Sequence, residues 1–357
     1  MKTIISLLIT ILIAIFLSAC TNIGPNTIPR DRFNYNTAIA DSWKEQTLLN
    51  IVKLRYADMP LFVEVTSIVS GYTLESTVNL GGIHSGRSGS DVFTMGASGK
   101  FSDRPTITYA PITGTHFNKS FMTPIPPRAI LFLMQSGWAV DLIFPLTTNS
   151  INGLKSRIDA GVHQHEGDKD YYRVITLFRD IQKSGAVGMR LLKNKKGQDS
   201  TVIFFYDKNI SHDVKAKLKE LNKLLGIKPG TRSIKVSYGA VPENNQEIAM
   251  MTLSLLQIMV KLATQIDVPE QHVKEGRTVP SISWSDVQDK TSKLMNIKHS
   301  AEKPDNIFTA VKYRDYWFWI DDRDFRSKRT FAFLMVIFSL TETGGKEGLP
   351  LVTIPTG

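Results

Sequence analysis

Apolar positions recur at helical spacing from Asp31 to Asp58. Tyr35, Ile39 and Trp43 fall at i, i+4 and i+8, and Leu48, Leu49, Val52 and Tyr56 continue that side. Asp31 is placed to cap this helix and Pro60 to end it. The period changes at Leu61. Phe62-Val63-Glu64-Val65, and later Tyr72, Leu74, Thr77 and Val78, read as strands, as does Thr106-Ile107-Thr108-Tyr109 before Pro111. Between them Gly81, Gly82, Gly86, Gly89, Gly96 and Gly99 predict a long loop or hairpin tip over Gly81–Gly99.

Pro127 suits the first turn of a helix over Arg128–Gln135, and a second helix follows Gly137-Trp138. Ile151-Asn152-Gly153 is a turn signal. Tyr171–Ser184 predicts a helix, then Val187–Leu192 and Thr201–Tyr206 a hairpin. Val214, Leu218, Leu221 and Leu225 mark an amphipathic helix that Ser211 can cap, and Ser233–Tyr238 a strand. Ile248, Met251, Leu255, Ile258, Leu262 and Ile266 step by three or four, predicting one buried helix ended by Pro269. Phe308–Tyr313 and Tyr316–Ile320 form a second hairpin, Phe331–Phe338 a buried helix end, and Leu351–Ile354 a closing strand. The sum is an α+β fold with mixed or antiparallel sheets covered by amphipathic helices. The polar stretch 155–170 divides it into an N-terminal α+β domain, 31–165, and a C-terminal α+β domain, 166–357.

The N-terminus has its own pattern. Lys2 precedes an apolar run, Ile4–Leu17, that is shorter than the roughly 20 residues of a membrane-spanning helix. It ends in Leu17-Ser18-Ala19-Cys20, which resembles the lipobox of bacterial lipoproteins. The resemblance implies a signal peptide over 1–19, cleavage before Cys20 and acylation of the Cys20 thiol. Residues 20–30, with Gly24, Pro25 and Pro29, would be a lipidated tether for a soluble body. By the same resemblance, Thr21 in place of Asp favours the outer membrane, with the body facing the periplasm.

Composition narrows the partners. Hydrophobic residues make up 42% of the 357, which suits a folded body rather than a disordered one. Cys20 is the sole cysteine, so no disulfide framework is expected within the chain. The net charge of +10 favours anionic partners. In an envelope compartment these are lipid head groups, cell-wall polymer or other envelope proteins, and not nucleic acid.

Chemistry is sparse. His163-Gln164-His165-Glu166 holds metal-ligand types but lacks a further spaced ligand, so no metal and no cofactor is expected. His84, Ser88 and Asp91 bring triad residue types into one loop without a nucleophile elbow. Tyr313, Tyr316, Trp317 and Trp319, with Arg323 nearby, interleave aromatic rings with cations and form a candidate binding surface for sugar rings. Alternation in a strand, however, puts Trp317 and Trp319 on one face and Phe318 and Ile320 on the other, as in a core strand. Asp321, Asp322 and Asp324 follow as a carboxylate-rich turn.

Further strings carry a wider resemblance: Arg32-Phe33-Asn34-Tyr35-Asn36, Leu48–Tyr56, Pro105–Tyr109, Ser136-Gly137-Trp138, Ile151-Asn152-Gly153 and Ser327–Phe331. Together they resemble an uncharacterised family of proteobacterial outer-membrane lipoproteins. That family implies no reaction, so only Cys20 takes a role from it, as the lipid attachment site. A looser likeness is to lipoproteins of the outer-membrane core of type IV secretion machines. The expectation is a non-enzymatic, outer-membrane-anchored component of an envelope complex, a secretion apparatus being one such context. The alternatives are an envelope hydrolase acting on wall or lipid, and a glycan- or lipid-binding module.

Overall fold

The computed structural model describes residues 23–83, 92–157, 166–193, 199–206, 210–231, 233–282, 284 and 293–341. The fold is α+β. Cys20, the signal peptide expected over 1–19, His84, Ser88, Asp91, the His163–Glu166 cluster and the strand expected at Leu351–Ile354 lie outside the described residues.

The chain forms two compact units, divided differently from the expected boundary near 165. Among the described residues one holds 23–43 and 63–111, the other 44–62 and those from 112 onward. A cut at 165 would split a hydrogen-bonded sheet, because strands on both sides of it pair with each other.

In the first unit, helix α1 (Ile23–Arg55) contributes its leading turns. Residues expected to be tether are therefore helical from Ile23. Pro25 falls in the first turn, where amide groups have no intrahelical acceptor, and Pro29 follows one turn later. The rest of the unit is a two-stranded ribbon. Strand β1 (Val63–Val69) pairs with β4 (Thr106–Pro111), and β2 (Tyr72–Ile83) with β3 (Val92–Asp103), all antiparallel. The Arg104 amide donates to the Gly71 carbonyl at 2.9 Å, which joins the two ladders end to end. Of the stretch Gly81–Gly99, expected as a long loop or hairpin tip, the described residues 81–83 and 92–99 are strand, and the ladder reaches Ile83 opposite Val92.

The second unit holds the main core. Helices α2 (Gly114–Phe117), α3 (Pro127–Gln135) and α4 (Val140–Thr147), with a π-helical turn at Asn118–Met122, precede strands β5 (Thr148–Ile151) and β6 (Leu154–Lys155). Helix α5 (Lys169–Lys183), strands β7 (Val187–Lys193) and β8 (Asp199–Phe205), helix α6 (His212–Leu224), and strands β9 (Ser233–Tyr238) and β10 (Glu247–Thr252) follow. These strands build a six-stranded sheet in the order β6-β5-β10-β9-β8-β7, antiparallel except for the β9–β10 pair. Helix α3 packs on it over β7 and β9.

Residues 248–266, expected as one helix, are divided. Ile248, Ala249 and Met250 are buried in the inner strand β10, and helix α7 runs only over Leu255–Ala263. A strand covered on both faces is continuously apolar, so its pattern mimics a buried helix. The divider is a capping box: the Ser254 hydroxyl accepts from the Gln257 amide at 3.2 Å, and the Gln257 side chain accepts from the Ser254 amide at 2.8 Å.

The turn at Asn152-Gly153 has positive φ at both residues, 48° and 83°, as a tight hairpin turn requires. The Asn152 side-chain Nδ2 also donates to the Leu225 carbonyl at 2.7 Å, and its Oδ1 accepts from the Ala249 backbone amide at 2.7 Å. The turn therefore locks the β5–β6 hairpin to neighbouring elements.

After the short helix α8 (Glu270–Lys274), strands β11 (Lys298–Ser300), β12 (Ile307–Tyr313) and β13 (Tyr316–Asp321) form an antiparallel sheet with β13 central. Helix α9 (Phe325–Thr341) follows. Its Phe338 joins Phe62 and Phe121, with ring centroids 4.4–5.4 Å apart and all three rings buried.

Candidate functional site

The residues singled out in the Tyr313–Arg323 segment do not form one surface. Tyr313 and Tyr316 are cross-strand partners and point inward: Tyr313 packs on Tyr56, and Tyr316 on His272. Phe318 and Ile320 are fully buried on the same side. Trp317 and Trp319 share the opposite face, where they stand across from Lys312 and Ala310 on β12, and from Ser300 and Lys298 on β11. Both rings are half-buried, and each has a cation over it: Lys303 at 5.2 Å from Trp317, Lys298 at 4.9 Å from Trp319. The Trp319 indole N–H is buried with no hydrogen-bond partner among the described residues.

The acidic turn resolves into three separate jobs. Asp321 accepts from the Arg323 guanidinium at 3.0 and 3.1 Å, from the Arg323 amide at 3.0 Å, and from Lys298 at 3.3 Å. These bonds, Arg323 foremost, hold its carboxyl far below the usual carboxylate range, so it stays an anion and is unsuited to give a proton. Asp322 pairs with Lys328 at 2.7 Å. Asp324 caps α9: its side chain accepts from the Ser327 amide at 3.0 Å and from the Ser327 hydroxyl at 2.7 Å. The spacing Asp324-x-x-Ser327 ahead of an apolar run carried that signal in the sequence.

Sequence reasoning missed a buried polar pair behind this sheet. The Tyr56 hydroxyl lies 2.7 Å from His272 Nδ1, and the Arg314 guanidinium sits 5.2 Å from the Tyr56 ring centroid. Burial pushes the Tyr56 phenol up to about 12 and pushes the His272 imidazole below its usual value. Burial favours the neutral form of both groups, and the imidazole tautomer sets which of the two donates. Arg55 nearby donates to the Val279 and Pro280 carbonyls at 2.9 and 2.8 Å.

A groove of about 420 Å³ opens between α4, α5 and the start of α9, lined by Asp141, Tyr172, Arg179, Phe325 and Arg329 among others. Its carboxylate, Asp141, pairs with Arg179 at 3.3 Å. Among the described residues no three His, Cys, Asp or Glu side chains are grouped to hold a metal ion.

The first unit offers a different kind of site. The β1–β4 and β2–β3 ladders are each only two strands wide, so the outer edges of the ribbon face no other strand among the described residues. Successive residues alternate between its faces. Tyr72, Val78, Ala97 and Phe101 lie on one face, with Leu74 opposite Phe101 and Leu80 opposite Met95 in the register. Thr73, Glu75, Thr77, Asn79, Ser98 and Lys100 lie on the other, where Glu75 and Lys100 pair at 3.5 Å. Val78 is 55% and Phe101 53% exposed. At its base the ribbon is fastened to α1: the Tyr72 hydroxyl donates to Asp31 at 2.5 Å, and Arg30 stands 5.7 Å from the Tyr72 ring centroid.

Comparisons with protein-family models, curated proteins and solved structures give no match for this chain.

Proposed function

We propose that this chain is an outer-membrane lipoprotein, acylated on Cys20, that serves as a structural component of an envelope assembly and not as a catalyst. The observation that carries this reading is the ribbon over Val63–Pro111. A lone two-stranded ribbon is marginal in water, and an open strand edge is a template for pairing with another chain. An open-edged arm with exposed apolar side chains suits assembly. The apolar run that ends at Cys20 supports the anchor, since each CH2 buried in a bilayer contributes about 0.8 kcal/mol.

Labelled palmitate and membrane fractionation test the proposal. Label enters the native protein, Cys20→Ser takes up none and leaves the membrane fraction, and the native protein co-purifies with other chains from a mild detergent extract. An unlabelled native protein, or one recovered alone as a monomer, overturns it.

A second reading is a cell-wall-binding surface on the outer face of β13. Trp317 and Trp319 share that face with Lys298 and Lys312, a pairing of rings and cations suited to an anionic glycan. Sedimentation with purified wall polymer, weakened by Trp317→Ala, supports it; equal sedimentation of both proteins rules it out.

A further inference from the structure

We infer that the distal hairpin β2–β3 is a membrane-inserting strand pair: several copies of this chain lay these hairpins edge to edge and close a transmembrane β-barrel. The inference rests on the proposed anchoring at the outer membrane and names the partner, a further copy of the same chain.

Length is the first argument. Each strand of the pair has 12 residues. At about 3.3 Å per residue and a tilt of about 45°, such a strand covers about 28 Å of depth, close to the roughly 25 Å apolar band of outer-membrane barrels.

Patterning is the second. In a barrel wall, lipid-facing residues alternate with lumen-facing ones. The hairpin has that alternation, with Val78, Ala97 and Phe101 on one side and Thr77, Ser98 and Lys100 on the other. Of the three charges in the two strands, Glu75 and Lys100 fall on the polar side and pair with each other, and Asp103 stands at the base beside Tyr72, outside the apolar span. The ring pair Tyr72–Phe101, 6.0 Å apart, stands at the base of the apolar side, where barrel strands carry an aromatic girdle.

Closure is the third. Bare strand edges are not tolerated in hydrocarbon, because an unpaired backbone group there has no water to bond. One hairpin cannot satisfy itself. Repeated around a ring, β3 of one copy meets β2 of the next, and those strands run antiparallel. Every edge is then paired, and the strand number is even.

The anchor position agrees. Asp31, which holds Tyr72 at the hairpin base, lies eight residues after the start of α1 at Ile23, about 12 Å along a helix. Cys20 precedes Ile23 by three residues. Only 11 positions of sequence therefore separate the proposed anchor, Cys20, from Asp31 at the hairpin base.

The test uses full-length protein purified in detergent and reconstituted into dye-loaded liposomes of phosphatidylethanolamine and phosphatidylglycerol. Native mass spectrometry is expected to show complexes of several copies, and the liposomes to release dye. Val78→Arg puts a cation on the lipid side and cuts release by roughly tenfold or more, since barrels reject lipid-facing arginine near mid-depth. Thr77→Arg, one residue away on the lumen side, retains release. Both side chains are exposed, so unchanged unfolding midpoints confirm that both variants fold. A monomer, absence of dye release, or equal release by the two variants overturns the inference. A multimer that leaves liposomes sealed also overturns it, in favour of ribbons pairing in water. Palmitate labelling of the same samples separates the two proposals. A labelled protein that fails these tests sinks only the barrel, whereas an unlabelled one sinks the anchor.

Discussion

The Tyr56 hydroxyl and His272 Nδ1 meet at 2.7 Å across 216 residues of sequence, both buried. The bond ties the end of α1 to α8, in a buried setting that favours the uncharged imidazole. Burial holds the folded-state pKa of His272 below its ordinary value of 6.5. The unfolded chain therefore binds the extra proton first as pH falls. Stability from this site is complete above 6.5 and is lost as pH drops through the folded value. In denaturant titrations the unfolding midpoint should fall between pH 7.5 and 5.5. His272→Gln keeps an acceptor without a titrating ring and should flatten that fall. An unchanged pH slope in the variant refutes the assignment.

The Phe62–Phe121–Phe338 cluster joins three segments distant in sequence. Phe121→Ala leaves a cavity and should cost about 3–5 kcal/mol in chemical unfolding. Phe132→Ala, at a position 59% exposed, should stay within about 0.5 kcal/mol of the parent.

Gly188 lies under the ring of Phe204, its partner across β7–β8. A methyl group there would stand 2.5 Å from Phe204 Cζ, and Arg190 holds that ring from its guanidinium 4.6 Å away. Gly188→Ala should destabilise by about 1–3 kcal/mol through overpacking. A Phe204→Leu background should shrink the loss, which a double-mutant cycle measures directly.

Asp321 gathers Arg323 and Lys298, and Asp321→Asn should lower the unfolding midpoint at neutral pH. The folded carboxyl titrates below its ordinary value of 3.8, mainly through its bonds from Arg323. Its contribution is thus present above that value and disappears as pH falls through the lower, folded one. The gap between parent and variant should hold from pH 6 to about pH 4.5 and narrow as pH falls below 3.8 toward 2.5. A gap that stays constant counts against the clamp.

Local patterns were legible where a single element carries its own signal. The Ser211 cap of α6, whose hydroxyl accepts from the Val214 amide at 3.3 Å, the Asn152-Gly153 turn, and the β7–β8 and β12–β13 hairpins all stand where residue type and spacing put them. The helix expected over 248–266 failed because buried strand and buried helix share one apolar pattern at short length. Over 81–99, expected as a long loop or hairpin tip, strand reaches further in than the glycines suggest among the described residues, because glycine weakens a strand without forbidding it and the alternation around it persists.

Sequence by itself determined which segments are apolar, where helices are capped, and that an apolar run closely precedes the sole cysteine, because those properties depend on neighbours within a few residues. Only tertiary structure decided that Tyr56 meets His272, that the two tryptophans and two tyrosines of one hairpin part to opposite faces, and that the ribbon ladders stay two strands wide among the described residues. Those outcomes depend on contacts between groups tens to hundreds of residues apart, whose free energies appear only once the intervening chain is folded.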